Sequence, residues 1–224
     1  CNEVLDDAAT QNLTDPASVI NTAEARFFRA YSYFDLVRTY GAVPKIDFKV
    51  STPTQGNIAK SDTAAIYALI NADLTYAEQN LPIVWEAKYA GRANKWAAKA
   101  LHAKVLLQQR NYSQSLAICR DIIANGPYSL ITDYWKMFKK EGELCSESIF
   151  EIQAAKTAGD GNACWSRLGQ CQGVRGSGTW DLGWGWNTPT TALVNAYEPG
   201  DVRKDATILF SNQSDGGTNT GGYG

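Results

Sequence analysis

Between Thr157 and Trp186 the sequence places eight glycines and four tryptophans in 30 residues, and no other stretch combines residue types so suited to holding a ligand. Flexible glycine-rich linkers have no use for tryptophan. An indole offers an apolar face on which the C–H side of a pyranose ring packs, while the sugar hydroxyls seek polar partners around the rim. Trp165, Trp180 and Trp184 can serve as such platforms, and Asn162, Ser166, Arg167, Gln170, Gln172, Arg175 and Asp181 can supply hydrogen bonds.

Other chemistries find less support. Hydrolysis of a glycosidic bond needs two carboxyl groups as acid and base; Glu143, Glu147, Glu151, Asp160 and Asp181 are available but stand in no recognisable signature. The five cysteines, at 1, 119, 145, 164 and 171, form no Cys-x-x-Cys pair, so neither a zinc site nor the framework of a small disulfide-rich domain is indicated. Cys119 is in step with Leu116 and Ile122 and reads as core, whereas Cys164 and Cys171 share the glycine-rich loop, where a bridge between them stays open. The single histidine, His102, lies on an alanine-rich helix and reads as a packed or half-exposed side chain. Gly-x-Gly runs such as Gly176-Ser177-Gly178 do not sit between a strand and a helix, so they carry no nucleotide-binding meaning. No cofactor is implied. A net charge of −2 without a Lys/Arg run removes the footprint of a nucleic-acid binder, and no apolar segment approaches the ~20 residues of a membrane span.

The elements that must carry this loop are helical. Asp15 can cap a helix that Pro16 opens, and Ile20, Ala23, Phe27, Tyr31, Phe34 and Val37 recur at steps of three or four. Ala25, Phe28 and Leu36 fall outside that stripe, which predicts packing on two sides. Arg38 and Gly41 supply the stop. Glu24, Arg26 and Arg29 read as structural ion pairs on the helix. Ser61 is expected to cap a second helix carrying Ile66, Leu69, Ile70, Ala77 and Leu81, ended by Pro82. From Arg92 to Gln109 a face made mostly of small residues, Ala93, Trp96, Ala97, Ala100, Ala103 and Leu107, permits close approach. The Arg110-Asn111-Tyr112 turn then leads into a helix with Leu116, Cys119, Ile122 and Ile123, which closes an antiparallel hairpin before Gly126-Pro127. Beyond residue 130 short elements take over, and Glu147 to Ile152 is the one clear strand candidate.

Residues 24 to 46, E-A-R-F-F-R-A-Y-S-Y-F-D-L-V-R-T-Y-G-A-V-P-K-I, resemble the signature of SusD/RagB-like proteins, close to E-A-R-F-x-R-A-x-x-Y-F-x-L-x-x-x-Y-G-x-x-P. Four further segments are similar to that family: Gly91-Arg92-Ala93, Tyr128-Ser129-Leu130, the Glu147 to Ile152 run and Trp184-Gly185-Trp186 through Pro189-Thr190. The resemblance extends from about Cys1 to Phe210. It implies an all-α fold of tetratricopeptide-like hairpins forming a superhelix, with an irregular loop-rich layer and little β-structure.

It also implies a surface-exposed, lipid-anchored outer-membrane protein that binds oligosaccharides and delivers them to a SusC-like TonB-dependent transporter, without being an enzyme. A peptide-binding RagB-type receptor and a protein-interaction scaffold are the alternatives, with a glycoside hydrolase behind both. Trp184 and Trp186 match a family-wide run and therefore read first as plugs of the helical core, although Trp184 stays among the ligand-binding candidates with Trp165, Trp180, Arg167, Arg175, Asp181 and Asn162. The chain is expected to be one domain fragment, lacking parts at both ends, with a hairpin scaffold over 1–130 and a ligand-binding layer over 131–224. Val4, Leu5 and Ala8 continue at helical spacing after Cys1, so the lipid anchor is expected on a residue outside this stretch.

Overall fold

The computed structural model describes residues 1–153, 171–173, 175 and 183–210. Among these, helix dominates. In order come α1 (Asn2–Thr10), α2 (Pro16–Tyr40), β1 (Val43–Pro44), α3 (Pro53–Gly56), β2 (Lys60–Ser61), α4 (Thr63–Asn80), α5 (Lys95–Gln108), α6 (Tyr112–Asn125), α7 (Thr191–Asn195) and α8 (Arg203–Thr207). The chain forms two compact units, Cys1–Ser129 with Ser146–Glu151, and Leu130–Cys145 with Ile152–Gly224.

In the first unit α2 packs chiefly on α4 and α1, and α5 joins α4 to α6. The Asp15 carboxylate accepts from the Ala17 and Ser18 amides at 3.1 Å, capping α2 where Pro16 needs no donor of its own. At the other end Gly41 takes φ of 71°, which a side chain tolerates poorly, and its amide donates to the Val37 carbonyl. The turn is then pinned by Tyr33, whose hydroxyl accepts from the Ile46 amide at 2.6 Å and lies 3.2 Å from the Pro44 and Ile46 carbonyls. Burial pushes the Tyr33 phenol up from its usual pKa.

The core joins Ala23, Phe27, Phe34 and Val37 of α2 to Ile66, Ile70, Leu74 and Ala77 of α4 and to Ala97, Ala98, Leu101 and Val105 of α5. Fully burying side chains such as Phe27, Ile66, Ile70 and Leu74 contributes about 1.5–3 kcal/mol each. The second packed side of α2 consists of Ala25, Arg29 and Tyr33, in steps of four, so of the residues outside the first stripe Ala25 is buried as expected; Phe28 and Leu36 are exposed, because α1 and the chain after Gly41 cover a different face from the one those two occupy. Glu24, Arg26 and Arg29 do form ion pairs, but with residues outside α2 and not along it. Arg29 grips Asp73 of α4 with Nε–Oδ2 at 2.7 Å and Nη2–Oδ1 at 2.8 Å, Arg26 approaches Asp73 at 3.5 Å, and Glu24 pairs with Arg92. Asp73 is fully buried in the α4 apolar stripe, so the forked guanidinium is what makes its charge tolerable there.

Several expectations are corrected by neighbouring geometry. Ser61 pairs with Val43 in the short antiparallel β1–β2 ladder, so the cap of α4 passes to Asp62, whose carboxylate accepts from the Ala65 amide. Leu107 is exposed, and the buried face of α5 includes Ala98, Leu101, Val105 and Leu106 instead. Cys119 is exposed, as are Leu116 and Ile123, because α6 turns toward α5 the face that bears Ser115; the Ser115 hydroxyl donates to the Ala103 carbonyl at 2.9 Å. Glu147 to Ile152 forms no strand. Its aromatic residue is used against a helix: Phe150 packs on Phe27 and Phe28 with ring centroids 5.2 and 6.3 Å away. His102 is mostly covered and bonds Glu78 through Nδ1 at 2.6 Å, joining α5 to α4.

Candidate functional site

In the second unit residues 171–173 and 175 and the stretch 183–186 are drawn together by main-chain bonds. The Gly185 amide donates to the Gly173 carbonyl at 2.9 Å and the Trp186 amide to the Cys171 carbonyl at 2.7 Å. Only glycine suits position 185: its φ is +64°, and a Cβ there would sit 2.8 Å from the Cβ of Arg175. That close approach fixes the backbone from which Trp184 and Trp186 project, and the two indoles pack against each other. Their ring centroids are 4.6 Å apart with planes tilted by 50°.

Both indoles are open to solvent, Trp184 at 39% and Trp186 at 58% of full exposure. This overturns the expectation that they plug a core. With a glycine on each side, Trp184 has no flanking side chain to cover it, and Gly-Trp-Gly-Trp was the signal in the sequence that pointed the other way. Arg175 is exposed beside the pair. Exposed indole surface can stack on a flat, partly apolar ring, and an exposed arginine on the adjoining backbone can hydrogen-bond a hydroxyl edge. Of the residues singled out in the sequence, the structure therefore brings together Trp184 and Arg175; Trp165, Trp180, Arg167, Asp181 and Asn162 lie outside the described residues. So does Cys164, while Cys171 carries a free thiol.

The ion pairs near α8 are of another kind. Asp201 accepts from the Arg203 amide and guanidinium, which holds its carboxyl below the usual carboxylate range and raises the Arg203 guanidinium. Of the carboxylates considered for hydrolysis, Glu143 belongs to the second unit and is exposed, whereas Glu147 and Glu151 are half-buried in the first. Among the described residues no group of three or more His, Cys, Asp and Glu is arranged to hold a metal ion, and no helix is long and apolar enough to cross a membrane.

The described residues are mostly helical, and comparison with known proteins gives the chain a family. Residues 1–107 match the SusD-like family described as starch-binding and associating with the outer membrane. SusD-like protein P25 of Formosa agariphila is 30% identical over 156 residues, covering 69% of this chain and 30% of that protein. A solved laminarin-binding SusD-like protein superposes with a TM-score of 0.82 at 28% identity, over 93% of this chain and 49% of the other. A SusD-like protein from Bacteroides fragilis gives a TM-score of 0.75 at 27% identity, over 88% and 39%. The chain belongs to the SusD-like family, whose members are carbohydrate-binding and associated with the outer membrane. It spans about a third of the curated relative's length.

The family gives meaning to one ion pair. Glu24, in the E-A-R-F signature, takes both arms of Arg92, in the Gly-Arg-Ala segment. The carboxylate raises the Arg92 guanidinium above its usual pKa. Two motifs 68 residues apart are thus one structural clamp between α2 and the loop that leads into α5.

Proposed function

We propose that this chain forms the sugar-holding part of a surface nutrient receptor, which captures oligosaccharides outside the outer membrane and passes them to a SusC-like TonB-dependent transporter. The observation that carries the proposal is the exposed Trp184–Trp186 pair beside Arg175; likeness to a laminarin-binding SusD-like protein supports sugar as the ligand class. Trp165 and Trp180 join Trp184 as platforms, with Arg167, Arg175, Asp181 and Asn162 as hydrogen-bonding partners. The α5–α6 hairpin is one repeat of a tetratricopeptide-like superhelix whose hairpins face the transporter, and a lipid anchor outside these residues attaches the whole protein to the membrane. Capture proceeds without cleavage. Glu24, Asp73 and Asp201 are each held by arginine and so are poorly placed to move protons.

A glycan array read against a pool of peptides tests the proposal. Saturable binding of glucan oligosaccharides, with no reducing ends released, is the expected outcome. Binding of peptides alone would overturn the ligand class, and release of reducing ends that stops in Glu143→Gln or Glu147→Gln would overturn capture without cleavage.

A further inference from the structure

The 14 residues joining α4 to α5, Leu81 to Asn94, contain only one short 3-10 turn, Ala87–Tyr89, and leave unusually large apolar side chains in solvent. Ile83 is 57% exposed, Val84 65% and Tyr89 41%, with Trp85 half-exposed between them. Connections of this length without regular structure of their own are commonly functional. We propose that this loop is a second oligosaccharide-contact surface, built on Trp85 and Tyr89 and separate from the Trp184–Trp186 pair. The proposal rests on the reading of the chain as a glycan receptor.

The geometry is that of a fixed platform. The Trp85 indole N–H donates to the Ala93 carbonyl at 2.8 Å, which sets the plane of the ring. The Arg92 guanidinium lies 4.1 Å from the indole centroid and 5.4 Å from that of Tyr89, backing both rings. Arg92 is in turn locked by the Glu24 carboxylate, so the clamp between the two family motifs also orients the aromatic pair. Trp85 and Tyr89 meet edge to face at 5.8 Å. A ligand arriving there finds rings already ordered, and little side-chain entropy remains to be lost on binding.

The rim suits a neutral, hydroxylated ligand. Glu86 and Lys88, with side chains 73% and 62% exposed, pair with each other at 3.1 Å, and Lys88 lies 4.7 Å from the Tyr89 ring centroid. So exposed a pair contributes little to stability and yields readily to an incoming hydroxyl edge. Charges of both signs around apolar rings favour an uncharged sugar over a strongly acidic or basic partner. A long glucan can lay several sugar rings along this loop, whereas an oligosaccharide of two or three sugars gains little from it.

The test is calorimetric titration of the 224-residue chain and its Tyr89→Ala and Trp85→Ala variants with laminarin and with laminarin oligosaccharides of two or three sugars. Tyr89 is exposed, so Tyr89→Ala is expected to melt with the parent; it therefore decides the matter even if Trp85→Ala folds poorly. The expected result is about tenfold weaker binding of the long chains by Tyr89→Ala, the scale of an aromatic anchor. Binding of the short ones should be unchanged, and laminarin should protect Tyr89 from hydroxyl-radical labelling. Unchanged affinity at every length, while the parent binds, would overturn this second surface and leave glycan capture intact. Failure of the parent to bind any glycan would overturn both. A Tyr89→Ala variant that loses only a protein contact would assign the loop to a protein partner and also refute the proposal.

Discussion

Replacing Asp73 with alanine is expected to destabilise the helical unit by about 3–5 kcal/mol, the cost of stranding a buried charge after one partner is removed. The magnitude follows from what the carboxylate does. It is fully buried, it accepts two short bonds from Arg29, and Arg29 is itself only 9% exposed. Without Asp73 the guanidinium keeps only Asn2 Oδ1 at 3.0 Å and the Asp47 carbonyl at 3.3 Å, neither of which neutralises it. For a chain of this size each kcal/mol shifts the melting point by about 2–4 °C, so a drop of about 6–20 °C is expected. Thermal unfolding followed by far-UV circular dichroism reports it directly, since α2 and α4 carry much of the helical signal. A double variant, Asp73→Leu with Arg29→Met, should recover most of the loss, because an apolar pair of similar volume avoids the stranded charge. An Asp73→Ala protein melting within 3 °C of the parent, or a double variant as unstable as the sum of its single changes, would refute the reasoning.

Three further outcomes follow from particular contacts. Trp186→Ala should cost less than about 1.5 kcal/mol in urea unfolding, because more than half of the side chain is already in water and little cavity is left behind. Stability should fall as pH rises above about 10: burial favours the neutral Tyr33 phenol, so the folded chain keeps that proton after the unfolded chain has released it, and the advantage is lost up to the raised folded pKa. Tyr33→Phe should flatten that alkaline decline while costing about 1 kcal/mol at neutral pH through the unpaired Ile46 amide, both measurable by denaturant titration across pH. Asn94→Ala should cost about 1 kcal/mol, since Asn94 caps α5 by accepting from the Ala97 amide at 2.8 Å and also donates to the Tyr128 hydroxyl.

Much of the scaffold was legible because local rules and tertiary packing agree there. Asp15, Pro16 and Gly41 bound α2 as capping chemistry dictates, and Ala23, Phe27, Phe34 and Val37 all face the core. What escaped was non-local. Asp73 stands in an apolar stripe as a lone acid, but nothing near it in sequence says that Arg29, 44 residues away, supplies the countercharge. Cys119, Leu116 and Ile123 have the spacing of a buried face, yet burial depends on a neighbour, and α5 meets the side bearing Ser115. Glu147 to Ile152 has strand composition, but Phe150 finds its partners on α2. At the site, Arg175 and Trp184 were visible as residue types, whereas the exposure of Trp186 depends on a main-chain crossing at Gly185 that no periodicity encodes.

Sugar binding by the exposed indole pair is the step on which the proposed function depends. Calorimetric titration of laminarihexaose into the parent chain, and into a Trp184→Ala, Trp186→Ala double variant matched for melting temperature, tests it most directly. Saturable binding by the parent that weakens at least tenfold in the variant is the expected result. Equal affinity in the two proteins, or no heat from the parent at millimolar sugar, would contradict it.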